Sequence, residues 1–304
     1  MSDASIGIPR RGTMRTPLER SPWLLPLFLS VWLTLVIAPL LVLFAYSFFE
    51  SRNFAMIYKP SLATWESLFT SGRFEVTVRT LRIALTVTVI ELALAFPSAL
   101  WLAKGGCSKT TKALVLALLT IPFFLDLSSR IIVWRGILDE NGLINYVLMA
   151  VHVIASPIRG MLYTEQAVHF GMIVSYFPMM VLPIYMAISV IDDTLIAAAA
   201  DLGASPWRIL ADIVLPLSMP GILAGVVFTL GPALASWIEP NMLGGGFVNM
   251  LSNSVDSAYS ALRYPVVAAL SSFVILMVGL MLAVLMFLTR RFADLSTSFR
   301  NLQS

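Results

Sequence analysis

Residues 191–216 read IDDTLIAAAADLGASPWRILADIVLP, a stretch that separates two long apolar runs. The aspartate pair near its start can cap a helix, and the alanines at 197–200 favour one. Gly203 suits the left-handed residue that closes a helix, and Ser205 followed by proline is typical of the start of another. The segment therefore predicts a helix, a tight turn and a second helix, with the next span beginning near Pro216. Its alanines leave a smooth surface that a groove of another protein can approach closely.

The composition of the whole chain is typical of a membrane protein. Of the 304 residues, 58% are hydrophobic and only 12% are charged, whereas soluble domains carry about 25% charged residues. The basic residues behind the net charge of +3 lie between apolar runs instead of forming one patch, which argues against a nucleic-acid partner. The one cysteine, Cys107, excludes an intrachain disulfide and a cysteine-based zinc cluster. The isolated His152 and His169 do not indicate a metal site.

Six apolar stretches are long enough to cross a bilayer, which takes about 20 residues of α-helix. They lie at about 23–49, 79–103, 113–134, 167–190, 215–238 and 264–289. The first is too long for the apolar part of a signal peptide, which has about 7–15 residues, so we interpret it as an uncleaved span. The sequence therefore predicts an all-α membrane protein with six transmembrane helices.

The positions of the positive charges predict the orientation of these helices. Just over half of the 20 Lys and Arg residues fall on the segments that lie inside when the N-terminus is inside. We therefore expect both termini in the cytoplasm. The predicted domains are a cytoplasmic tail (1–22), a six-span region (23–290) that contains the inside loop (191–216), and a second cytoplasmic tail (291–304).

Prolines and glycines inside the predicted spans indicate bends and close helix packing. We expect bent or interrupted helices where prolines free backbone carbonyl groups, at Pro97, at Pro178 with Pro183, and at Pro216 with Pro220. In the fifth span, the spacing of Gly221 and Gly225 allows a neighbouring helix to approach closely. In the outer loop 135–166, the amphipathic stretch 143–154 predicts an interfacial helix.

The inside loop resembles the coupling motif of ABC importer permeases. That motif is Glu-Ala-Ala, three residues, Gly, nine residues, Ile, one residue and Leu-Pro. Six residues match at this spacing, but the usual Glu is Ala197 here. The resemblance implies the type I (MetI-like) permease fold and a loop that couples the permease to an ATPase. Because the glutamate is absent, the electrostatic attraction between this loop and the ATPase is expected to be weaker. The implied coupling residues are Ala197, Ala198, Ala199, Asp201, Gly203, Ser205, Ile213, Leu215 and Pro216.

Other stretches are similar to the spermidine/putrescine type of these permeases, and the similarity covers about residues 25–290. The matching stretches are Phe96-Pro97-Ser98-Ala99, the run from Ile121 to Asn145, Tyr176-x-Pro178 with Leu182-Pro183, and Pro240-x-Met-Leu-Gly-Gly. The resemblance implies a second, nonidentical permease, which would supply the missing carboxylate, and a periplasmic substrate-binding protein. It also implies two ATPase subunits that hold ATP and Mg, and a location in the inner membrane of a bacterial cell. The implied cargo is a polyamine or a related small organic cation, although neighbouring subfamilies move other solutes.

The residues themselves give no sign of an enzyme. Residues 105–110, GGCSKT, lack the spacing Gly-x4-Gly-Lys-Ser/Thr of a phosphate-binding loop. No nucleophile and base stand in a catalytic pattern, so ATP hydrolysis is expected on separate subunits and no cofactor is expected on this chain. The alternative function is an ion-gradient-driven secondary transporter or channel subunit, which needs a network of charges within the membrane.

Four charged residues are candidates for the substrate pathway or a gate: Glu91, Asp126, Arg130 and Glu239. Glu91 lies in mid-span, where a charge is costly, so it either meets a cationic substrate or is a protonated or hydrogen-bonded packing residue. Asp126 and Arg130 are four residues apart, so they either form an ion pair on one helix or belong to the outer gate. Glu239 is a candidate for the outer mouth. Related permeases often have an acidic residue and Phe before the next proline, where this chain has Ser236 and Trp237, so their substrate contacts are not transferred.

Overall fold

Long apolar stretches become long helices in the computed structural model, which describes residues 23–52, 55–70 and 72–300. The elements in chain order are α1 (Leu24–Tyr46), β1 (Glu50–Arg52), β2 (Ala55–Ile57), α2 (Ala63–Thr70), α3 (Arg73–Lys104), α4 (Lys109–Thr120), α5 (Leu127–Leu138), α6 (Leu143–Ala150), α7 (Glu165–Ser189), α8 (Asp193–Asp201), α9 (Pro206–Ile209), α10 (Leu215–Ala235), α11 (Ile238–Met242), α12 (Leu251–Ser260) and α13 (Tyr264–Arg300). The two strands form a small antiparallel hairpin after α1.

The predicted fold class, an all-α membrane protein with six spans, is confirmed. Within the described residues, five helices are long and apolar enough to cross a bilayer. They are α1, α3, α7, the helix that runs from α9 through α10, and α13. A bent pair of helical stretches between α3 and α7 makes the sixth crossing if the pair counts as one span.

The third predicted span, 113–134, is wrong as a single helix. A 3₁₀ turn that contains Pro122 follows α4, and the next helical stretch leaves at an angle of 104°. The proline ring removes a backbone donor from the helix. The carboxylate of Asp126 then accepts a hydrogen bond from the N–H of Ser129 and caps α5. The apolar run is continuous in the sequence, but the proline and this cap divide it into two helices.

Three helices, α3, α7 and α10, pack against one another and form most of the core. The two glycines predicted to allow close packing lie where α10 meets α7. A Cβ atom on Gly221 would lie 2.5 Å from the Cβ atom of Ala187, and one on Gly225 would lie 2.9 Å from the Sδ atom of Met180. Because these distances leave no room for a side chain, the prediction of close packing is confirmed.

The first span, α1, lies at the edge of the bundle against α13. None of its apolar window from Pro26 to Tyr46 is buried within the chain. Side chains such as Leu35, which is 71% exposed, therefore face lipid or another subunit, because lipid tails are as apolar as leucine.

The two ends of the chain and the loop 135–166 are predicted to lie outside the spans. The N-terminal tail, 1–22, lies outside the described residues. The predicted C-terminal tail, 291–304, begins as helix because α13 continues to Arg300. In the outer loop, the predicted amphipathic helix forms as α6 and ends at Ala150.

Candidate functional site

The predicted coupling loop forms two helices joined by a glycine turn. The carboxylate of Asp192 accepts a hydrogen bond of 2.9 Å from the N–H of Thr194 and caps α8, and this bond lowers the pKa of the Asp192 carboxyl group. Gly203 takes the left-handed conformation, with φ of +82°. The hydroxyl group of Ser205 accepts a hydrogen bond from the N–H of Arg208 and starts α9. The predicted helix, turn and second helix are therefore confirmed.

The second helix of the loop does not end before the fifth span but runs into it. After α9, a π-helical turn (Leu210–Val214) leads directly into α10. In this turn the N–H of Leu215 donates to the carbonyl of Leu210. Pro216 has no N–H to donate, and the wider turn lets the helix continue through this point. A displacement of α9 is therefore transmitted to the core helix α10 without an intervening loop.

The loop presents an apolar, exposed surface. Ala197 and Ala198 are exposed on α8, and the nearby Leu202 and Trp207 are 90% and 79% exposed. We call these four residues the coupling surface. Large exposed apolar side chains mark interaction sites, and the small alanines beside them let a partner come close. Of the other predicted coupling residues, two are half-buried and five are exposed: Ala199 and Ile213, then Asp201, Gly203, Ser205, Leu215 and Pro216.

Lys104, in the last turn of α3, holds the start of the coupling loop. Its ammonium group donates to the carbonyl oxygen of Ile191 and to the carboxylate of Asp193, both at 2.5 Å. The Lys104 side chain is only 16% exposed, whereas that of Asp193 is 84% exposed. The contact ties the N-terminus of α8 to a core helix. The sequence gives no local signal of this contact, because Lys104 and Asp193 are 89 positions apart.

Glu91 is completely enclosed by its own chain. It lies on α3 with 0% exposure, and one carboxylate oxygen, Oε2, accepts a hydrogen bond of 3.1 Å from the hydroxyl of Thr229 on α10. The other oxygen, Oε1, has no hydrogen-bond partner. The Glu91–Thr229 bond joins two core helices, and it leaves one oxygen available to a further donor.

Glu239, at the start of α11, is also completely buried. The hydroxyl of Ser236 donates a short hydrogen bond to its Oε2 atom, and its Oε1 atom has no partner. The phenol of Tyr176 on α7 lies close enough to interact with both Glu239 and Ser236. The structure therefore places two carboxylates, Glu91 and Glu239, inside the packed helices instead of on an open cavity wall.

The predicted ion pair between Asp126 and Arg130 is not formed. The Asp126 carboxylate caps α5 through the N–H of Ser129, and the helix starts only after Asp126. Arg130 lies one turn further along, where its backbone N–H donates to the carbonyl oxygen of Asp126 at 3.3 Å, but the carboxylate is directed to the N–H of Ser129 and not to the guanidinium group. The Nε atom of Arg130 is buried without a hydrogen-bond partner.

Known proteins match this chain over most of its length. Residues 85–298 match the family of binding-protein-dependent transport system inner membrane components. The spermidine/putrescine transport system permease protein PotB of Escherichia coli (strain K12) is 34% identical over 257 residues, which cover 83% of this chain and 92% of that protein. PotB of Haemophilus influenzae (strain ATCC 51907 / DSM 11121 / KW20 / Rd) is 31% identical over 226 residues, which cover 74% of this chain and 78% of that protein.

A solved structure shows the same fold. The crystal structure of a bacterial ABC transporter involved in the import of the acidic polysaccharide alginate contains a chain that matches with a TM-score of 0.70. The match covers 90% of this chain and 97% of that chain at 20% sequence identity. At this identity the likeness extends to the arrangement of the helices.

Proposed function

We propose that this chain carries a polyamine or a related small organic cation. The proposal starts from its family: the chain belongs to the binding-protein-dependent transport system inner membrane components and is a membrane-spanning subunit of an ABC importer. The observation that carries the proposal is the 34% identity to a spermidine/putrescine permease over 92% of that relative's length. Identity spread over the whole permease supports the same kind of substrate more strongly than a match to the coupling loop alone.

We propose that this chain neither binds ATP nor selects its cargo alone. The importer therefore needs further subunits. The proposed complex contains a second, nonidentical permease, two ATPase subunits that hold ATP and Mg, and a periplasmic binding protein. In the inner membrane, the coupling loop faces the cytoplasm together with both termini. The distribution of Lys and Arg and the exposed coupling surface of Ala197, Ala198, Leu202 and Trp207 support this orientation.

In the proposed mechanism, the coupling loop passes motion from the ATPase to two core helices. Its first helix, α8, is held to α3 by the bonds from Lys104 to Ile191 and Asp193. Its second helix, α9, continues into α10. When ATP closes the ATPase dimer, displacement of the loop moves the cytoplasmic end of α3 and that of α10, because each helix is joined to the loop by direct contacts.

Glu91 and Glu239 are proposed to meet the cationic cargo only when these helices part. Each carboxylate has one oxygen without a hydrogen-bond partner, which suits an arriving ammonium group. Both lie at or beside α10, the helix that the coupling loop moves. The described conformation, in which both are enclosed, is then the state that excludes cargo from them.

The function is tested in proteoliposomes that contain the complete importer. We expect uptake of labelled spermidine only with the binding protein, with ATP and with an intact ATPase. A complex whose ATPase carries an inactivating substitution is the control and should show no uptake. Uptake that persists in this control, driven by an ion gradient, would contradict the importer. ATP-dependent uptake of a different solute, without spermidine uptake, would contradict the polyamine cargo alone.

A further inference from the structure

A cavity lined by two arginines lies at the end of the bundle opposite the coupling loop. Its volume is about 300 Å³, and its polar lining residues are Arg73, Asn249, Asn253, Ser254, Ser257 and Arg263. Arg73 is the first residue of α3, whereas Lys104, which contacts the coupling loop, is the last. A helix of 32 residues is about 48 Å long, so the cavity and the coupling loop lie at opposite ends of the bundle.

The two arginines of this cavity are not neutralised within the described residues. Their guanidinium groups are close enough for the like charges to interact unfavourably. Arg73 donates one hydrogen bond, to the hydroxyl of Ser67 at 3.2 Å, and the described part of the chain offers neither arginine an Asp or Glu within ion-pair distance. A guanidinium group has five N–H donors, so most donors of the two arginines have no acceptor within the described residues.

This arrangement fits an anionic group. Two like charges that line one cavity repel each other, and a carboxylate that binds in this cavity reduces the repulsion and accepts charge-assisted hydrogen bonds. The asparagine and serine side chains of the lining add neutral hydrogen-bonding groups. The lining is therefore suited to a carboxylate that enters from water.

We propose that this arginine pocket, defined by Arg73 and Arg263, is where an acidic side chain of the periplasmic binding protein docks. The proposal rests on the proposed function, which places this end of the bundle outside the cell. The family is dependent on a binding protein by definition, so a protein partner must reach this face. Tyr259 and Tyr264 beside the pocket are 59% and 48% exposed and contact each other edge to face at 6.2 Å. Arginine and tyrosine together are typical of the energetic centre of a protein interface.

The experiment measures ATP hydrolysis by the complete importer in proteoliposomes as the concentration of binding protein is raised. The probe is the binding protein that stimulates the wild-type complex, loaded with its cargo. In Arg73→Gln and Arg263→Gln, we expect the half-maximal concentration of binding protein to rise roughly tenfold, since each removes a charged partner at the interface. Basal hydrolysis and the maximum at saturating binding protein should stay as in the wild type. Arg263 is exposed, so its variant tests the proposal even if Arg73→Gln fails to assemble.

The matched control is Arg159→Gln. Arg159 is exposed in the proposed outer loop between α6 and α7, but it is already paired with Glu140 at 2.9 Å. We expect this variant to leave the half-maximal concentration unchanged. The proposal would be overturned if the half-maximal concentration of binding protein rose equally in Arg159→Gln, or if it did not rise in the pocket variants.

A second arm distinguishes the binding protein from an anionic lipid headgroup. The same titrations are repeated in vesicles of neutral phosphatidylcholine and in vesicles with added phosphatidylglycerol. We expect the effect of Arg263→Gln to be the same in both. An effect that appears only with phosphatidylglycerol would assign the pocket to lipid and overturn the docking proposal. If no binding protein stimulates even the wild-type complex, the proposed importer function fails, which is a different result from an unchanged response of the pocket variants.

Discussion

At the scale of single residues, Lys104 makes the contacts on which the proposed coupling mechanism most depends. It donates to Ile191 and Asp193 at the start of the coupling loop, and hydrogen bonds to charged groups contribute about 1.5–3 kcal/mol. We expect Lys104→Met to lower uptake roughly tenfold while ATP hydrolysis continues, because α8 is released from α3. Uptake and hydrolysis measured together in proteoliposomes check this.

Two further variants separate the contacts that Lys104 makes with the loop from a general effect of its charge. Lys104→Arg keeps a donor with a positive charge and should retain most of the coupling. Lys109→Met removes an exposed lysine at the start of α4 and should behave as the wild type. If Lys104→Met transported normally, α8 would not depend on α3 for its position.

Glu91 provides a second test at this scale. In Glu91→Gln, the amide oxygen still accepts the hydrogen bond from Thr229, but the side chain can no longer ionise. We therefore expect thermal stability close to that of the wild type and spermidine uptake reduced roughly tenfold, the equivalent of one lost charge-assisted bond. Thermal unfolding in detergent and uptake in proteoliposomes provide the two readouts. Normal uptake in this variant would identify Glu91 as a packing residue and remove it from the pathway.

At the scale of elements, the turn between α8 and α9 depends on backbone conformation alone. Gly203 has φ of +82°, and a Cβ atom there would meet nothing within 4 Å. Strain of this kind costs about 1–3 kcal/mol for a β-branched residue, whereas asparagine tolerates the conformation. We expect Gly203→Val, and more strongly Gly203→Pro, to uncouple hydrolysis from uptake or block assembly, while Gly203→Asn remains active. Equal activity of the valine and asparagine variants would contradict a role for the left-handed turn.

The contact between α7 and α10 depends instead on the volume of the side chains that lie between the two helices. A methyl group on Gly221 would lie 2.5 Å from both the Cβ atom of Ala187 and the carbonyl oxygen of Pro183, whereas one on Gly231, in the same helix, would meet nothing within 4 Å. Overpacking of this kind costs about 1–3 kcal/mol. We expect Gly221→Ala to lower the melting temperature of the purified protein in detergent, and Gly231→Ala to leave it unchanged or raise it. Equal melting temperatures for the two variants would show that the helices separate easily at this contact.

The elements also show what a sequence can and cannot predict here. The coupling loop is predictable because its shape comes from local chemistry: Asp192 and Ser205 cap helices with their own side chains, and Gly203 supplies the left-handed turn. The break at Asp126 has a local signal in Pro122, but the continuous apolar run around it indicates one span. The π turn before Pro216 is not predictable because proline fits both the start of a helix and its interior when the turn widens.

Contacts between distant residues could not be predicted at all from one sequence. Glu91 is recognisable as unusual because it is charged within an apolar run, but its bond to Thr229 joins residues 138 positions apart. Glu239 is likewise visible as a charge, yet its complete burial depends on how α11 packs against α7. The sequence therefore indicates which residues are costly to bury, and the packing of the helices decides what they contact.

At the scale of the whole molecule, the proposed docking of the ATPase relies on a coupling surface in which Ala197 replaces the usual glutamate. Ala197 is exposed on α8, so a longer side chain there meets no neighbour within this chain. We expect Ala197→Glu to assemble and transport normally. An exposed ion pair contributes about 0.2–1 kcal/mol, so the variant should hold the ATPase up to about fivefold more tightly, and the gain should disappear at high salt. Retention of the ATPase on the purified permease in low and high salt checks this.

Ala197→Gln, which adds similar length without charge, is the control and should show no gain. If Ala197→Glu prevented assembly, the position would be part of a tightly packed contact, and the grip of this subunit would depend on the alanine surface itself.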